Sequence, residues 1–176
     1  MEKIIAGKTE ITKILKALAV QIAKANKDLS LLAIVGIQTR GKYLAKRIAE
    51  LLNTTNKTKI PFGFIDTTLY RDDVATTSAT RAIKETDLPF EVSDKKIILV
   101  DDVLFTGRTV RAALDGIMDF GRPKSIALAV LVDRGNRELP IAPDFIGMAI
   151  VTKPTDKVKL EVSELDGADR VILLKD

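Results

Sequence analysis

Cysteine and histidine are both absent from this sequence. Without cysteine the chain can form no disulfide, no thiolate zinc site and no cysteine nucleophile. Without histidine it lacks the usual general base of enzymes, together with every catalytic or metal-binding arrangement that depends on an imidazole. Acid–base chemistry would therefore fall to carboxylates, lysine, tyrosine or water.

The sequence also lacks a long apolar run. Because it contains neither a signal peptide nor a stretch of about 18 apolar residues, we expect a cytoplasmic protein with no membrane partner. Its 176 residues are 46 % hydrophobic and 30 % charged, which fits one globular domain over residues 1–176. The net charge of +4 permits an anionic partner without requiring one.

The most informative stretch is KIILVDDVLFTGRTVRAALD, residues 96–115. Apolar residues 97–100 predict a buried strand, followed by the carboxylates Asp101 and Asp102, a small-residue turn at 106–109 and a helix. Backbone N–H groups at a helix N-terminus suit a phosphate. Adjacent carboxylates suit sugar hydroxyls or a hydrated Mg²⁺. A phosphorylated sugar would satisfy both halves of this pattern.

A second strand is predicted over residues 31–37, and a helix over 42–52. Residues 36–42, GIQTRGK, match G-x-x-x-x-G-K, but Tyr43 stands where a P-loop requires a hydroxyl on Mg²⁺. A P-loop triphosphatase is therefore disfavoured. Two interpretations stay open: a turn that presents Thr39 and Arg40 to an anion, or an ordinary strand-to-helix connection.

An amphipathic helix is predicted over residues 10–27. An apolar stripe marks one face, and Lys13, Lys16, Lys24 and Lys27 cluster on the other. Such a face is either simply solvated or a surface that follows the phosphates of a nucleic acid.

The rest of the chain alternates strands with loops. Segment 71–91 is polar and has little periodicity, which is typical of a lid or binding loop, or of a surface excursion. Segment 133–141 is a charged loop. Further strands are predicted over residues 60–70, 125–132, 145–150, 158–162 and 170–174, the last two as a terminal pair with a turn at 166–167.

This alternation predicts an α/β fold with a mostly parallel sheet and helices on both faces. In such sheets ligands bind beyond the carboxyl ends of the strands. Because all four distinctive loops follow strands, we expect them to lie together at the carboxyl edge of the sheet. These loops are 38–41, 71–91, 101–109 and 133–141.

Residues 97–109, IILVDDVLFTGRT, resemble the diphosphoribosyl-binding motif of type I phosphoribosyltransferases. GIQTRGKYLAKRIAE, DTTLYRDD, GRPKSIALAVLVDRGNRELP and the tail resemble the bacterial pyrimidine operon attenuation regulators. The resemblance covers nearly the whole chain. It implies a type I phosphoribosyltransferase fold with a small hood, in a family that commonly forms homo-oligomers, as dimers or larger assemblies.

The resemblance also implies two activities. The first transfers ribose 5-phosphate from phosphoribosyl diphosphate to uracil, giving UMP and pyrophosphate, with Mg²⁺ carried by the diphosphate rather than by protein ligands. The second is UMP-dependent binding to an mRNA leader, which controls transcription termination. The alternatives are a phosphoribosyltransferase of another base, orotate or a purine, without an RNA role, and an RNA-binding regulator with vestigial catalysis.

Roles for individual residues follow from the same resemblance. Catalytic roles fall to Asp101, Asp102 and Arg71. The ribose and its 5′-phosphate would be bound by the two aspartates and by Val103, Leu104, Phe105, Thr106, Gly107, Arg108 and Thr109. Pyrophosphate would bind Thr39, Arg40 and Gly41, and the base hood would contain Asp133, Arg134, Arg137 and Ile141. RNA candidates are Lys13, Lys16, Lys24, Lys27 and Arg137.

One position departs from the family pattern. The family usually has histidine in the segment D-R-G-H-R-E-L-P, whereas this chain has Asn136. Asparagine can donate a hydrogen bond but cannot carry a charge. A pH response that depends on an imidazole is therefore not expected from this segment.

Overall fold

The computed structural model describes residues 1–72 and 85–176. Its helices are α1 (Lys8–Ala25), α2 (Arg40–Asn56), α3 (Arg108–Met118) and the short α4 (Ser163–Asp166). Its strands are β1 (Glu2–Ala6), β2 (Leu32–Ile37), β3 (Phe62–Ile65), β4 (Lys96–Leu104), β5 (Ser125–Asp133), β6 (Phe145–Ala149), β7 (Lys157–Glu161) and β8 (Arg170–Leu174).

Five strands form the central sheet, in the order β3-β2-β4-β5-β6, and every neighbouring pair is parallel. Parallel strands bring their carboxyl ends to one edge of the sheet. The loops after β2, β3, β4 and β5 therefore share that edge, as the sequence predicts.

Helices cover both faces of this sheet, and the apolar runs of the strands explain why. In β4, Ile98 and Val100 belong to the hydrophobic cluster that packs against α1 and α2. Their neighbours Ile97 and Leu99 belong to the cluster on the α3 side. Successive side chains of a strand point to opposite faces, so an unbroken apolar run supplies two cores. The predicted fold class is confirmed.

A second, antiparallel sheet has the order β1-β8-β7. The sequence predicts only its last two strands, because EKIIA in β1 is short and flanked by charge. Ala6 of β1, Leu160 and Val171 are buried in the same cluster as α1 and α2. The small sheet therefore extends the core on that side.

Several predicted bounds are wrong. Helix α1 ends at Ala25, so Lys27 lies beyond it. Helix α2 runs from Arg40 to Asn56 rather than over 42–52. Strand β3 covers four residues, and a 3-10 turn at Thr68–Tyr70 follows where strand was predicted to continue to residue 70. The described residues contain no helix long and apolar enough to cross a membrane.

Candidate active site

A cavity of about 360 Å³ lies at the carboxyl edge of the central sheet. It is bounded by the end of β4, the loop that leads into α3, the first residues of α3, and one residue each from the loops after β3 and β5. The lining residues are Arg71, Asp101, Val103, Leu104, Phe105, Thr106, Gly107, Arg108, Thr109, Val110 and Glu138.

Asp101 and Asp102 lie inside β4, not after it as the sequence predicts. Strand pairing with β5 continues to Leu104, which is what lengthens β4. The Asp102 N–H donates to Oδ1 of Asp101 at 2.9 Å, and the Val103 N–H donates to Oδ1 of Asp102 at 2.8 Å. Both carboxylates are therefore oriented by the backbone of their own strand.

Asp101 is the buried member of the pair, with 6 % of its surface exposed. Burial raises its pKa well above the usual value, and the negative charge of Asp102 raises it further. The Asp102 N–H and the Arg71 guanidinium act in the opposite direction. A cation or a hydroxyl donor beside Asp101 would therefore favour its ionised form.

The loop after β4 prepares the N-terminus of α3. Gly107, the N-cap of α3, has φ +93°, a conformation that glycine adopts without strain. A Cβ there would lie 3.3 Å from Cδ1 of Ile141. The first N–H groups of an α-helix have no partner inside the helix. Those of α3 lie beside the hydroxyls of Thr106 and Thr109, in a cradle suited to phosphate.

Arg71 reaches this cradle from the loop after β3. Its Nη1 donates to Oγ1 of Thr109 at 3.1 Å. The preceding residue is anchored on α3, because the carbonyl of Tyr70 accepts a bond from Nη2 of Arg111 at 2.8 Å and its hydroxyl donates to Asp119. The structure thus brings Arg71 and Asp101 to one cavity, whereas Asp102 is not among the residues that line it.

The predicted lid, 71–91, includes residues 73–84, which lie outside the described part of the chain. After them the chain runs beside β3, where Phe64 and Asp87 exchange backbone bonds of 2.8 and 2.9 Å. The Gln38 side-chain amide also donates to the carbonyl of Glu85. Residues 71 and 85 thus both lie near the carboxyl edge of the sheet.

The connection from β2 to α2 is only two residues long, Gln38 and Thr39. A Cβ on Gly36 would lie 2.6 Å from the Gly41 carbonyl oxygen, so β2 and α2 pack directly together. This short turn leaves no room for the wide loop of a P-loop. It brings the N-terminus of α2 and Arg40 to the carboxyl edge, beside β4.

The hood segment 133–141 is bonded to the phosphate cradle. Arg137 donates from Nε to the Ile141 carbonyl and from Nη1 to the Phe105 carbonyl, both at 3.0 Å. Its Nη2 pairs with Asp133 at 2.7 Å. Because the guanidinium of Arg137 is engaged inside the hood, its second predicted role, as an RNA contact, would require some of these bonds to exchange.

Arg134 is buried, with 5 % of its surface exposed, and its guanidinium lies 4.0 Å above the ring of Phe105. It donates to the Thr152 hydroxyl at 3.1 Å, and burial lowers its pKa. Asn136 has φ +57°, and its side-chain amide donates to the Thr152 carbonyl at 3.1 Å. These contacts fix the hood to the chain after β6.

Three acidic residues near the site were not predicted. Arg108 pairs with Glu138 at 2.6 Å and with Asp72, and Arg40 pairs with Asp166 at 2.9 Å. All three join segments distant in sequence. No local sequence pattern predicts such pairs, and the sequence places Asp166 only in a turn.

The predicted RNA residues lie elsewhere. Lys13, Lys16 and Lys24 are exposed on α1, and Lys27 is exposed in the loop after it. Lys16 and Lys24 border an apolar groove of about 430 Å³ between α1 and α2. This surface is separate from the cavity at the carboxyl edge.

Comparison with known proteins agrees with this geometry. A phosphoribosyl transferase domain model matches residues 4–165. A bifunctional protein PyrR from Halalkalibacterium halodurans is 47 % identical over 98 % of this chain and 97 % of its own length. Another, from Ligilactobacillus salivarius, is 49 % identical over 99 % of both chains.

Solved structures support the same fold. The hypoxanthine phosphoribosyl transferase of Trypanosoma cruzi matches with a TM-score of 0.75 and 20 % identity, over 98 % of this chain and 91 % of its own. At that sequence identity the match supports only the fold. The near-full-length sequence matches go further: the chain belongs to the phosphoribosyl transferase family and, within it, to the bifunctional PyrR proteins.

Proposed function

We propose that the cavity transfers ribose 5-phosphate from phosphoribosyl diphosphate to uracil, forming UMP and pyrophosphate. The observation that carries this proposal is the aspartate pair of β4 followed directly by an amide-rich helix N-terminus, with Arg71 bonded to Thr109 across the cavity. One half of this arrangement fits a ribose and the other a phosphate.

In the proposed complex, Asp101 and Asp102 accept hydrogen bonds from the 2′- and 3′-hydroxyls of the ribose. The N–H groups and hydroxyls of residues 106–109 bind the 5′-phosphate, whose charge the α3 dipole stabilises. Two contacts at opposite ends of the sugar fix its anomeric carbon with respect to the other substrate, which lowers the entropic part of the barrier.

The leaving diphosphate would lie against Thr39, Arg40 and Gly41 at the start of α2. The bond between the anomeric carbon and the diphosphate oxygen breaks, the bond to the uracil nitrogen forms, and the proton of that nitrogen passes to the departing diphosphate or to water. Positive charge develops on the sugar and negative charge on the leaving group. The carboxylates of β4 stabilise the first, and Arg40 with the N-terminus of α2 stabilises the second.

The donor set fits Mg²⁺ that arrives with the diphosphate. Among residues 1–72 and 85–176, no group of three or more acidic side chains is arranged to hold a metal ion. Substrate phosphates are a usual environment for Mg²⁺, so the diphosphate would hold the ion while Asp101 and Asp102 hold the ribose hydroxyls. When bound, the ion would neutralise charge on the diphosphate.

The base would lie beneath the hood, formed by Asp133, Arg134, Arg137 and Ile141. The hood is hydrogen-bonded to the backbone of Phe105 and Thr106, and these bonds couple the base site to the phosphate cradle. A rigid hood limits access of water, which would otherwise compete with uracil for the activated sugar.

Replacement of both aspartates tests this proposal. Asp101→Asn with Asp102→Asn should abolish UMP formation from uracil, phosphoribosyl diphosphate and Mg²⁺. The matched control is Asp115→Asn, which removes an exposed carboxylate of α3 that pairs with Arg111. The control should keep full turnover. Near-normal turnover in the double variant would overturn the assignment.

We also propose that the chain regulates pyrimidine genes by UMP-dependent binding to mRNA. The supporting observations are the exposed lysines of α1 and the near-full-length identity to proteins named bifunctional. UMP bound in the cavity would change the affinity of the protein for RNA, and bound RNA would change its affinity for UMP by the same factor. Assembly into homo-oligomers and a cytoplasmic location stay predictions.

A further inference from the structure

Arg40 and Asp166 form a two-point ion pair at the edge of the proposed diphosphate site. Nε of Arg40 donates to Oδ2 of Asp166 at 3.2 Å, and Nη2 donates to Oδ1 at 2.9 Å. Arg40 is the first residue of α2, and Asp166 is the last residue of α4, 126 positions later. The pair therefore links the start of α2 to the C-terminal segment.

The Asp166 carboxylate is itself held in place. Its Oδ2 accepts the Val162 N–H at 2.9 Å, and its own N–H donates to the Val162 carbonyl at 2.7 Å. With one oxygen bonded to the backbone, the carboxylate has little freedom to turn away from Arg40.

A second arginine fixes α4 independently. Arg47 lies seven residues, about two turns, after Arg40, so both side chains leave the same face of α2. Arg47 donates to Glu164 at 3.0 Å and to Asp169 at 2.9 Å. Because Arg47 already binds α4 to α2, the Arg40 pair is not needed for that docking.

The geometry of the pair leaves Arg40 able to bind an anion. Both bonds to Asp166 use the edge formed by Nε and Nη2. A guanidinium has five N–H groups in a planar fork, and its Nη1 edge can bind a phosphate through two parallel bonds. The hydrogen bond to Asp166 raises the pKa of Arg40, and the charges of Asp102 and Glu161 act in the same direction. Arg40 therefore lies within electrostatic reach of Asp102 in β4.

We propose that Asp166 is a positioning residue for the diphosphate site, holding one edge of the Arg40 guanidinium so that the other edge faces the substrate diphosphate. The inference rests on the proposed function, because it takes Arg40 as a diphosphate ligand. A side chain that is already ordered loses less freedom when the substrate binds. Asp166 thus acts on substrate affinity through Arg40, without touching the substrate.

Steady-state kinetics of Asp166→Ala provide the first test. The KM for phosphoribosyl diphosphate should rise about tenfold, while kcat and the KM for uracil stay within about twofold. The matched control is Glu164→Gln, which weakens the other ion pair of α4 and should leave all three constants unchanged. Should Asp166→Ala fail to fold, Asp166→Asn keeps the shape and should raise the same KM about threefold.

A double variant separates positioning from a general effect on the fold. If Asp166 acts through Arg40, adding Asp166→Ala to Arg40→Ala should change the KM for phosphoribosyl diphosphate less than twofold. A full tenfold loss in that background would overturn the inference. So would an unchanged KM in Asp166→Ala alone.

Calorimetric titration with Mg²⁺ and pyrophosphate does not depend on uracil turnover. Asp166→Ala should bind pyrophosphate about tenfold more weakly than the unchanged chain, and Glu164→Gln should bind it equally well. If the unchanged chain binds pyrophosphate but forms no UMP, the proposed function fails and this titration still decides the role of Asp166. Equal affinity in Asp166→Ala would refute that role.

Discussion

Nη1 of Arg71 lies 3.1 Å from Oγ1 of Thr109, and the charge of the same guanidinium partly offsets the rise in the pKa of Asp101 that burial and Asp102 cause. One cation thus lies beside both the phosphate cradle and Asp101. Tyr70 is anchored on α3, so the chain enters Arg71 from a fixed point on that helix.

Replacement of Arg71 by Gln should lower kcat/KM for UMP formation about a hundredfold, because the cavity loses a preorganised charged donor. The free energy of unfolding should change little. Arg122→Gln is the matched control, since Arg122 is exposed and precedes β5 at the opposite edge of the sheet. Equal losses in the two variants would show that Arg71 has no special role.

Asp101 should make stability depend on pH. Its pKa is raised in the folded chain, so folding opposes its ionisation. The favourable contribution of protonated Asp101 is complete below the unfolded pKa of about 3.9, and it is lost as the pH rises towards the folded pKa. Asp101→Asn cannot ionise, so the variant does not lose stability in this way as the pH rises.

Urea denaturation of the unchanged chain and of Asp101→Asn, without ligands, measures the effect. The stability of the variant relative to the unchanged chain should increase as the pH is raised above 4 and should level off beyond the folded pKa of Asp101. A difference that is independent of pH would contradict the account of a carboxyl destabilised by burial.

Asn136 should contribute to hood stability through both its backbone and its side chain. Asn136→Ala should cost about 1–2 kcal/mol, because alanine is strained at φ +57° and cannot donate to Thr152. Asn136→Gly relieves the strain and should cost less. Thermal denaturation of both variants checks this order, and a greater loss for glycine would contradict it.

The lysines of α1 should contact RNA phosphates. Changing Lys13, Lys16 and Lys24 to Gln should weaken binding of a pyrimidine operon leader RNA and reduce the slope of log K against log salt by about 2. UMP formation should be unaffected, since these residues lie outside the cavity.

The matched control for that variant changes Lys59, Lys124 and Lys175 to Gln, which removes the same charge from exposed positions outside α1. The control should keep the RNA affinity. If both triple variants show the same decrease in RNA affinity and in the slope of log K against log salt, net charge rather than the α1 surface governs binding.

Local patterns were enough to predict the parallel sheet and the convergence of its loops. The apolar runs before Asp101 and Gln38 predict buried strands, and buried parallel strands determine which loops share an edge. Strand ends were harder to predict. The pairing of β4 with β5 continues past Val100 to Leu104, so tertiary hydrogen bonds extended a strand that polar residues would otherwise end.

The electrostatic partners of the site could not be predicted in this way. Arg40 meets Asp166, and Arg108 meets Glu138, across 126 and 30 positions. Such pairs arise from the packing of α2 on α4 and of the hood on α3. The periodicity of apolar residues and the composition of a segment indicate its local structure, whereas these contacts depend on how distant segments pack together.

The central claim is that this cavity joins uracil to ribose 5-phosphate. The most direct test is a turnover assay with phosphoribosyl diphosphate and Mg²⁺ in which uracil, orotate, hypoxanthine and xanthine are offered separately. We expect UMP and pyrophosphate in equal amounts from uracil, and no more than background turnover with the other three bases. No product from uracil, or faster turnover with orotate or a purine, would contradict the account.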